Sequence, residues 1–257
     1  MTVRVAVEGG VARLTVDRPE ARNALDRPTR DDLVAALDDL EADDADARIV
    51  VITGSDDSGA FVSGADLGEL RERSAEEQRA EMAFPRVYER VATCRWPTVA
   101  RVNGYALGGG CELALACDVR VASTEARFGQ PEITLGMIPG GGGTQRLPRL
   151  VGPGRAAELA LTGETVDAER AAEIGLVLDA VPSEELDDRV AALTERVAAH
   201  APGAVEATVD ALRASERLPL DEGLRYERER FLDVFAHDDR REGIDAFRED
   251  RDPSWTS

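Results

Sequence analysis

The chain has 257 residues, of which 43% are hydrophobic, and these values indicate a globular protein with a sizeable core. Its formal net charge is −20, all 31 basic residues are arginines, and the sequence contains no lysine. So acidic a chain is disfavoured as a partner of nucleic acids and anionic membranes, because both are polyanions.

The acidic, lysine-free composition also predicts a salt-rich environment. Repulsion among the surplus acidic groups destabilises a compact state, and molar salt shortens the electrostatic screening length to roughly 3 Å. We therefore expect a protein from a halophile, with an ordinary acidic protein of a mesophile as the alternative. The N-terminal segment has no signal-peptide pattern, and no apolar run is long enough to span a membrane, so we expect a cytoplasmic protein.

Hydrophobic spacing in the first part of the chain predicts alternating strands and helices. The predicted elements are a β-hairpin over 3–16, a helix from Pro28, a buried strand over 48–54, a loop over 55–70 and a helix over 75–93. Gly9 and Gly10 separate the two alternating runs of the hairpin. Pro85 should kink or break the last helix, because a proline inside a helix removes a backbone hydrogen bond.

The rest of the chain continues this alternation and then becomes helical. The predicted elements are a buried strand over 97–104, a short apolar helix over 111–117, a strand over 118–123 and, from about residue 183, consecutive amphipathic helices. This order predicts an α/β fold with largely parallel strands. We expect an α/β core over residues 1–195 and a helical C-terminal region over residues 196–257, packed on the core or on another subunit.

The cysteines and histidines do not indicate a metal site. Cys94, Cys111 and Cys117 lie in or beside apolar stretches without the spacing of metal ligands, which predicts buried reduced thiols. His200 and His237 are interpreted as helix-end or surface residues. We therefore expect no bound metal.

A glycine cluster at 108–110 precedes the short apolar helix, in which Glu112 is nearly the only polar residue. The start of a buried helix carries unpaired N–H groups and the positive end of the helix dipole, so it can bind an anion or a carbonyl oxygen. Partial desolvation should raise the pKa of Glu112 toward the range useful for proton transfer. The alternative is that Glu112 only satisfies the helix dipole. Nucleotide binding is disfavoured, because Leu113 stands where the dinucleotide fingerprint requires glycine.

A second glutamate, Glu132, follows a proline and precedes apolar residues, which predicts a defined and partly buried loop. By itself such a residue is most often a helix-start or turn residue. Two semi-buried glutamates beside one anion-binding turn, however, could position a water molecule and move a proton. The pairing of Glu112 with Glu132 therefore favours the addition of water to an activated double bond.

Six segments along nearly the whole chain form an ordered set of motifs. They are RPEARNALD at 18–26, FVSGADL at 61–67, PTVARVNGYALGGGCELALACDVRVAS at 97–123, FGQPEITLGMIPGGGGTQRLPRLVG at 128–152, LTGETVDAERAAEIGLV at 161–177 and FAHDDRREGIDAF at 235–247. Together they resemble the enoyl-CoA hydratase/isomerase (crotonase) family. The resemblance implies a crotonase-like spiral of ββα turns with a helical C-terminal extension, assembled as a homo-oligomer, either a trimer or a dimer of trimers.

The resemblance also implies a set of catalytic groups. In this family two backbone N–H groups hold the thioester carbonyl as an oxyanion hole, and the motifs place them at Ala65 and Gly109. Glu112 and Glu132 match the two glutamates of the family's hydratases. Glu112 would take a proton from a shared water and Glu132 would deliver a proton to the α-carbon, with the two titrating as a coupled pair.

Coenzyme A would bind as part of the acyl-CoA thioester substrate, without a separate cofactor. The resemblance places its contacts at Arg22, Ala65, Asp66, Leu67, Gly68, Gly109 and Phe247. Asp66 is expected to orient the turn. Gly68 and Asp250 depart from the family, since relatives often carry lysine at these places. Arg248 or Arg251 could replace the lost charge, with a solvated surface arginine as the alternative.

The implied activity is that of an enoyl-CoA hydratase, a hydro-lyase that adds water to a trans-2-enoyl-CoA to give a 3-hydroxyacyl-CoA, as in the β-oxidation of fatty acids. The alternatives are a methylglutaconyl-CoA-type hydratase, an enoyl-CoA isomerase, and a non-catalytic CoA-binding or RNA-binding member. The net charge of −20 argues against RNA binding.

Overall fold

The computed structural model describes residues 1–42, 46–83 and 86–256, whose strands form two sheets. The strands are β1 Val3–Glu8, β2 Val11–Val16, β3 Ile49–Gly54, β4 Ala60–Val62, β5 Thr98–Val102, β6 Tyr105–Leu107, β7 Val119–Ser123, β8 Arg127–Gly129, β9 Thr165–Asp167 and β10 Asp179–Val181. The larger sheet has the order β1–β2–β3–β5–β7–β10, and the smaller has the order β4–β6–β8–β9. Neighbours pair in parallel, except that β1 with β2 and β8 with β9 are antiparallel.

Twelve α-helices lie within these described ranges. They are α1 Arg27–Ala42, α2 Leu67–Glu72, α3 Ala75–Glu81, α4 Val87–Ala92, α5 Gly109–Ala116, α6 Gly143–Val151, α7 Pro153–Thr162, α8 Ala168–Glu173, α9 Leu186–Ala198, α10 Pro202–Ala214, α11 Leu220–Phe235 and α12 Asp239–Glu249. Short 3-10 helices occupy Pro19–Ala21, Asp56–Ser58, Pro131–Leu135 and Ser183–Glu185. Over the residues that the structure describes, no helix combines the length and apolarity that a membrane crossing requires.

The chain winds between the two sheets in repeating turns. It passes from β3 to β4, from β5 to β6 and from β7 to β8, so a strand of the larger sheet is each time followed by a strand of the smaller one. Helices then return the chain to the next strand of the larger sheet, which makes the strands parallel. This arrangement confirms the expected spiral of ββα turns, and the successive helices α9 to α12 confirm the helical C-terminal region.

Most of the predicted elements are present with small shifts at their ends. β1 and β2 form the predicted hairpin, in which Glu8 pairs with Val11 across a two-residue turn. Both turn residues, Gly9 and Gly10, have positive φ, as a tight hairpin turn requires. The helix predicted from Pro28 begins one residue earlier. The predicted helix over 75–93 is divided into α3 and α4, while Pro85 itself lies outside the described residues.

The prediction of a loop over 55–70 is partly wrong. The buried strand β4 lies inside this segment, and α2 begins at Leu67. A strand of three residues is too short to show an alternating pattern, and its pairing with β6 depends on residues far along the chain. Local spacing therefore could not reveal β4, although this strand carries the chain into the smaller sheet.

The two faces of the larger sheet are covered by different parts of the chain. One face belongs to the main core, which includes residues of α1, α4 and α5. On the other face, Leu186 and Val190 of α9 pack against Ile49, Val51 and Val99. The helix α9 also spans residue 195, where we placed the end of the core. The division at residues 195 and 196 stays a prediction.

Helix α5 lies at the centre of the molecule, and all eight of its residues are buried. Its first turn passes so close to β4 that a Cβ atom on Gly110 would lie 1.9 Å from the carbonyl oxygen of Val62. At its other end the buried Arg120 donates hydrogen bonds to the carbonyl oxygens of Ala114, at 3.3 Å, and Cys117, at 2.6 Å. The position of α5 is thus fixed at both ends.

Arg101 of β5 joins the larger sheet to the helix α9. Its side chain is 5% exposed and donates to Asp187 at 2.9 and 3.1 Å, and to Asp56 at 3.0 Å. It also donates to the hydroxyl of Thr53 at 3.2 Å. Because the guanidinium is buried, these bonds to charged groups are screened less by water than surface ion pairs are.

We expect Arg101→Met to lower the free energy of unfolding by about 1.5–3 kcal/mol, since hydrogen bonds to charged groups are lost while the side chain remains buried. Urea denaturation at a fixed KCl concentration measures the change. The control is Arg71→Met, because Arg71 is 85% exposed and its ion pair is with the exposed Glu72; its effect should stay below about 0.5 kcal/mol. Equal effects of the two substitutions would contradict the structural role of Arg101.

Candidate active site

The carboxylate of Glu112 is held by the backbone of a glycine loop. Glu112 lies in the first turn of α5 and is 3% exposed. Its Oε1 accepts hydrogen bonds from the N–H groups of Gly141, at 2.6 Å, and Gly143, at 2.8 Å. Since Gly143 is the first residue of α6, the carboxylate caps the start of that helix.

Burial raises the pKa of Glu112 above its ordinary value, because the charged form loses its hydration. The hydrogen bonds from Gly143 and Gly141 oppose this shift, as do the charges of Arg86 and Arg146. The Oε2 atom forms none of these bonds. One carboxylate oxygen is therefore anchored, and the other is available to a ligand.

Glu132 lies in the 3-10 helix Pro131–Leu135 and faces the glycine turn that precedes α5. Gly108 has a φ of 49°, and a Cβ atom there would lie 2.9 Å from Oε1 of Glu132. Any side chain at position 108 would therefore be strained and would press on the carboxyl group. Burial, with a further contribution from the charge of Glu112, raises the pKa of Glu132 to about 7. Glu132 is thus ready to exchange a proton near neutral pH.

Gln130 supports Glu132 from within the protein. Its side chain is fully buried, and its amide group is best oriented with the nitrogen toward the carboxyl group. In that orientation the amide donates to the two oxygens of Glu132 at 3.1 and 3.2 Å. The amide of Gln130 therefore restricts the rotation of the Glu132 side chain.

Two backbone N–H groups lie side by side next to these carboxyl groups. Leu25 bonds to both neighbours of Ala65, donating to Gly64 at 2.8 Å and accepting from Asp66 at 3.1 Å. Within residues 1–42, 46–83 and 86–256 the Ala65 N–H group has no backbone partner, so it can serve a ligand. Gly109 is the first residue of α5, where an N–H group has no partner inside its own helix. A Cβ atom on Gly109 would lie 3.4 Å from the Ala65 nitrogen.

The structure brings four of the predicted residues to one cavity of about 540 Å³. The four are Glu112, Glu132, Ala65 and Gly109. A carbonyl oxygen that accepts from both amides would place the neighbouring carbon atoms beside the two carboxyl groups. This arrangement can stabilise a developing enolate while a proton is removed on one side and delivered on the other.

The residues predicted to bind coenzyme A do not all line the cavity that holds Glu112 and Glu132. Asp66 caps α2 by accepting from the N–H groups of Gly68, at 2.9 Å, and Glu69, at 3.3 Å, which matches its expected role in orienting the turn. Leu67 is 57% exposed, and Arg22 is exposed with a φ of 49°. Asp66 and Leu67 directly follow Ala65 along the chain, and Arg22 precedes it. Their contacts with coenzyme A stay predictions.

Phe247 lies apart from the cavity that holds Glu112 and Glu132. It is 88% exposed on α12 and lines a separate groove of about 1010 Å³ among the C-terminal helices. Arg251 is paired with Glu242 at 2.7 Å, and Arg248 is exposed. Within one copy of the chain, Phe247 is therefore not brought to the cavity, and its contact with coenzyme A stays a prediction.

Several residues of the site were not predicted from the sequence. Gly141 and Gly143 hold Glu112 through backbone N–H groups, Gln130 supports Glu132, and Tyr88 forms part of the cavity wall. The glycine run at 140–143 was a visible signal, since so many glycines permit a close backbone approach. The thiols of Cys94, Cys111 and Cys117 are buried, as the apolar surroundings predicted.

Comparisons with known proteins show similarity over the whole chain. A sequence model of the family described as enoyl-CoA hydratase/isomerase matches residues 6–257. The chain is 44% identical to the 2,3-dehydroadipyl-CoA hydratase of Escherichia coli K12, over 95% of this chain and 94% of that protein. It is 39% identical to the short-chain-enoyl-CoA hydratase of Clostridium acetobutylicum, over 95% and 93%. The crystal structure of an enoyl-CoA hydratase from Bacillus anthracis superposes with a TM-score of 0.93 at 36% identity, covering 99% of each chain.

The raised pKa of Glu132 generates a prediction about stability. The folded state holds this proton more tightly than the unfolded state does, so stability should fall as pH rises from about 4.5 toward about 7. Glu132→Gln removes the charge, and we expect it to raise the melting temperature at pH 8 relative to the original chain. The difference should shrink at pH 5, where Glu132 is protonated in the fold. A difference that is constant between pH 5 and pH 8 would contradict the raised pKa.

Proposed function

The chain belongs to the enoyl-CoA hydratase/isomerase family and is an enoyl-CoA hydratase, and on this premise we propose that Glu112 and Glu132 carry out the addition of water. The observation that carries the proposal is the shared cavity, in which two carboxyl groups of raised pKa lie beside the amides of Ala65 and Gly109. The substrate is the thioester of an enoyl group with coenzyme A, which needs no separate cofactor.

The first part of the reaction is polarisation of the thioester. Its carbonyl oxygen accepts hydrogen bonds from the N–H groups of Ala65 and Gly109, and the positive end of the α5 dipole adds to their effect. The double bond conjugated to this carbonyl loses electron density at its β-carbon. Because both donors belong to the backbone, they are in place before the substrate arrives and need no rearrangement.

The second part is the transfer of two protons. Oε2 of Glu112 takes a proton from the water as its oxygen bonds to the β-carbon, and the electrons of the double bond move toward the thioester as an enolate. Protonated Glu132 then delivers its proton to the α-carbon, which restores the carbonyl group. A pKa of about 7 leaves Glu132 partly protonated near neutral pH, as this step requires. Both groups act from one cavity, so addition occurs on one face of the double bond.

The binding of coenzyme A is proposed for the segment that follows the Ala65 amide. Asp66, Leu67 and Gly68 form the turn into α2, and Arg22 lies close to it through a hydrogen bond from the Ser63 N–H group to the Arg22 carbonyl oxygen, at 3.2 Å. The proposed contact of Phe247 requires a neighbouring copy of the chain.

A homo-oligomer, either a trimer or a dimer of trimers, is consistent with the apolar surface of the C-terminal helices. Phe231 and Leu220 on α11 are 62% and 75% exposed, and Ile244 on α12 is 53% exposed. Exposed apolar groups of this size are typical of surfaces that another protein covers. We assign the oligomer to the cytoplasm, where it would serve the degradation of acyl-CoA thioesters.

Crotonyl-CoA tests the reaction directly, because addition of water removes the absorbance of the enoyl thioester. We expect Glu112→Gln and Glu132→Gln each to lower kcat by a factor of about 10²–10⁴, the usual contribution of general acid–base catalysis. The binding of butyryl-CoA, which cannot be hydrated, should change far less. Near-normal turnover in either variant would remove that residue from the mechanism.

The matched control is Glu184→Gln. Glu184 is an exposed glutamate of the 3-10 helix Ser183–Glu185 and does not line the cavity, so its replacement should leave kcat unchanged. A loss of activity in this control equal to that of Glu112→Gln would point to a general effect of charge.

A halophilic origin is proposed from the net charge of −20 and from the absence of lysine. We expect both kcat and the melting temperature to increase between dilute buffer and molar KCl, because salt screens the repulsion among the acidic groups. Thermal melting in a KCl series measures the effect. A melting temperature that is independent of KCl would contradict the proposal.

A further inference from the structure

The hydroxyl group of Tyr88 is a polar group of the cavity to which the proposed reaction gives no role. Tyr88 lies on α4 and is 8% exposed, and its ring packs within the main core. The guanidinium of Arg86 lies 5.7 Å from the centre of the ring. Tyr88 nevertheless lines the same cavity as Glu112 and Glu132.

The end of the Tyr88 ring meets both the amide pair and Glu112. The point that a Cβ atom on Gly109 would occupy is 2.8 Å from the Tyr88 oxygen and 3.4 Å from the Ala65 nitrogen. A Cβ atom on Gly141 would lie 2.7 Å from Cζ of Tyr88 and 2.6 Å from Oε2 of Glu112. Cζ of Tyr88 and Oε2 of Glu112 thus lie close to one common point of the cavity wall, and Oε2 is the oxygen that the glycine loop leaves free.

In the ranges that the structure describes, neither the Tyr88 hydroxyl nor Oε2 of Glu112 has a hydrogen-bond partner within the protein. Both atoms are therefore available to a molecule in the cavity. Two available polar groups on the wall of one cavity are suited to bind the same small polar molecule.

The attacking water has hydrogen-bonding capacity that the two glutamates do not fill. It donates one hydrogen to Oε2 of Glu112 and the other to the carbonyl oxygen of protonated Glu132, and one lone pair attacks the β-carbon. Its second lone pair requires a donor. Arg30, Arg73, Gln78 and Arg86 also line the cavity, and the Tyr88 hydroxyl is the side-chain donor that lies next to Gly109 and the Ala65 amide.

We propose that Tyr88 donates a hydrogen bond to the attacking water and, after addition, to the 3-hydroxyl group of the product. This assignment rests on the proposed function, in which Glu112 is the base. Tyr88 keeps its proton throughout, so the balance of the reaction is unchanged. Burial, followed by the charge of Glu112, raises the pKa of Tyr88 and keeps the hydroxyl protonated. Tyr88 is therefore a catalytic residue that touches the reacting oxygen.

Tyr88→Phe removes the hydroxyl group and keeps the ring. We expect kcat with crotonyl-CoA to fall about tenfold, as the loss of one hydrogen bond in the transition state implies, with KM within about twofold. The control is Tyr105→Phe, which removes a hydroxyl from a half-exposed tyrosine outside the cavity and should leave kcat unchanged. A kcat of Tyr88→Phe within twofold of the original value would overturn the proposal.

A binding experiment separates contact with the added oxygen from a structural role. In the Glu132→Gln background, where turnover is slow, Tyr88→Phe should weaken the binding of 3-hydroxybutyryl-CoA about tenfold and leave that of butyryl-CoA unchanged. Calorimetric titration measures both. Equal weakening of the two ligands, or no weakening of either, would overturn the assignment to the added oxygen.

Failure of this inference is distinguishable from failure of the proposed function. Normal turnover in Glu112→Gln would refute the proposed mechanism and the role of Tyr88 with it. A strong loss in Glu112→Gln together with normal turnover in Tyr88→Phe would refute the role of Tyr88 alone. Low turnover in both variants, with the selective loss of 3-hydroxybutyryl-CoA binding, is the result that supports the inference.

Discussion

The hydrogen bonds from Gly141 and Gly143 to one oxygen of Glu112 are the interaction on which the rest of the site depends. They compensate a buried carboxylate with two backbone donors, and they fix the start of α6 against the first turn of α5. They also occupy Oε1, which leaves Oε2 for the proposed proton transfer. The cavity wall, the orientation of the base and the junction of two helices are therefore set by the same pair of bonds.

The reaction chemistry follows from how unequally the two carboxyl groups are surrounded. Glu112 is almost fully buried and has backbone donors that favour its charged form, although burial still raises its pKa. Glu132 is partly exposed, is supported by Gln130, and has a pKa of about 7. Environments that differ in this way favour the proposed roles, with Glu112 as the base and Glu132 as the acid. The amides of Ala65 and Gly109 line the same cavity without contributing a titratable group.

The sequence was sufficient to predict the elements whose hydrophobic spacing is regular and the site residues that belong to family motifs. The hairpin, the buried strand at 49–54 and the helix α5 follow from spacing, and the positions of Glu112 and Glu132 follow from their apolar surroundings and the family resemblance. The strand β4 was missed because three residues carry no periodicity and their partner is remote in sequence. Tyr88 was missed for a related reason, since an aromatic residue on a predicted helix is normally a core residue, and only the packed structure shows where its hydroxyl ends.

Replacing Glu112 and replacing Glu132 would have different consequences for the scaffold. Glu112 is the proposed base and also caps α6, so its loss removes a support of the scaffold as well. Glu132 lies on the short 3-10 helix Pro131–Leu135, and its carboxyl group accepts from the Gln130 side chain rather than from the start of a helix. Evolution can therefore replace the proposed proton donor while retaining the scaffold and its amides. Divergence toward new reactions on this framework is expected to begin at position 132 and to reach position 112 later.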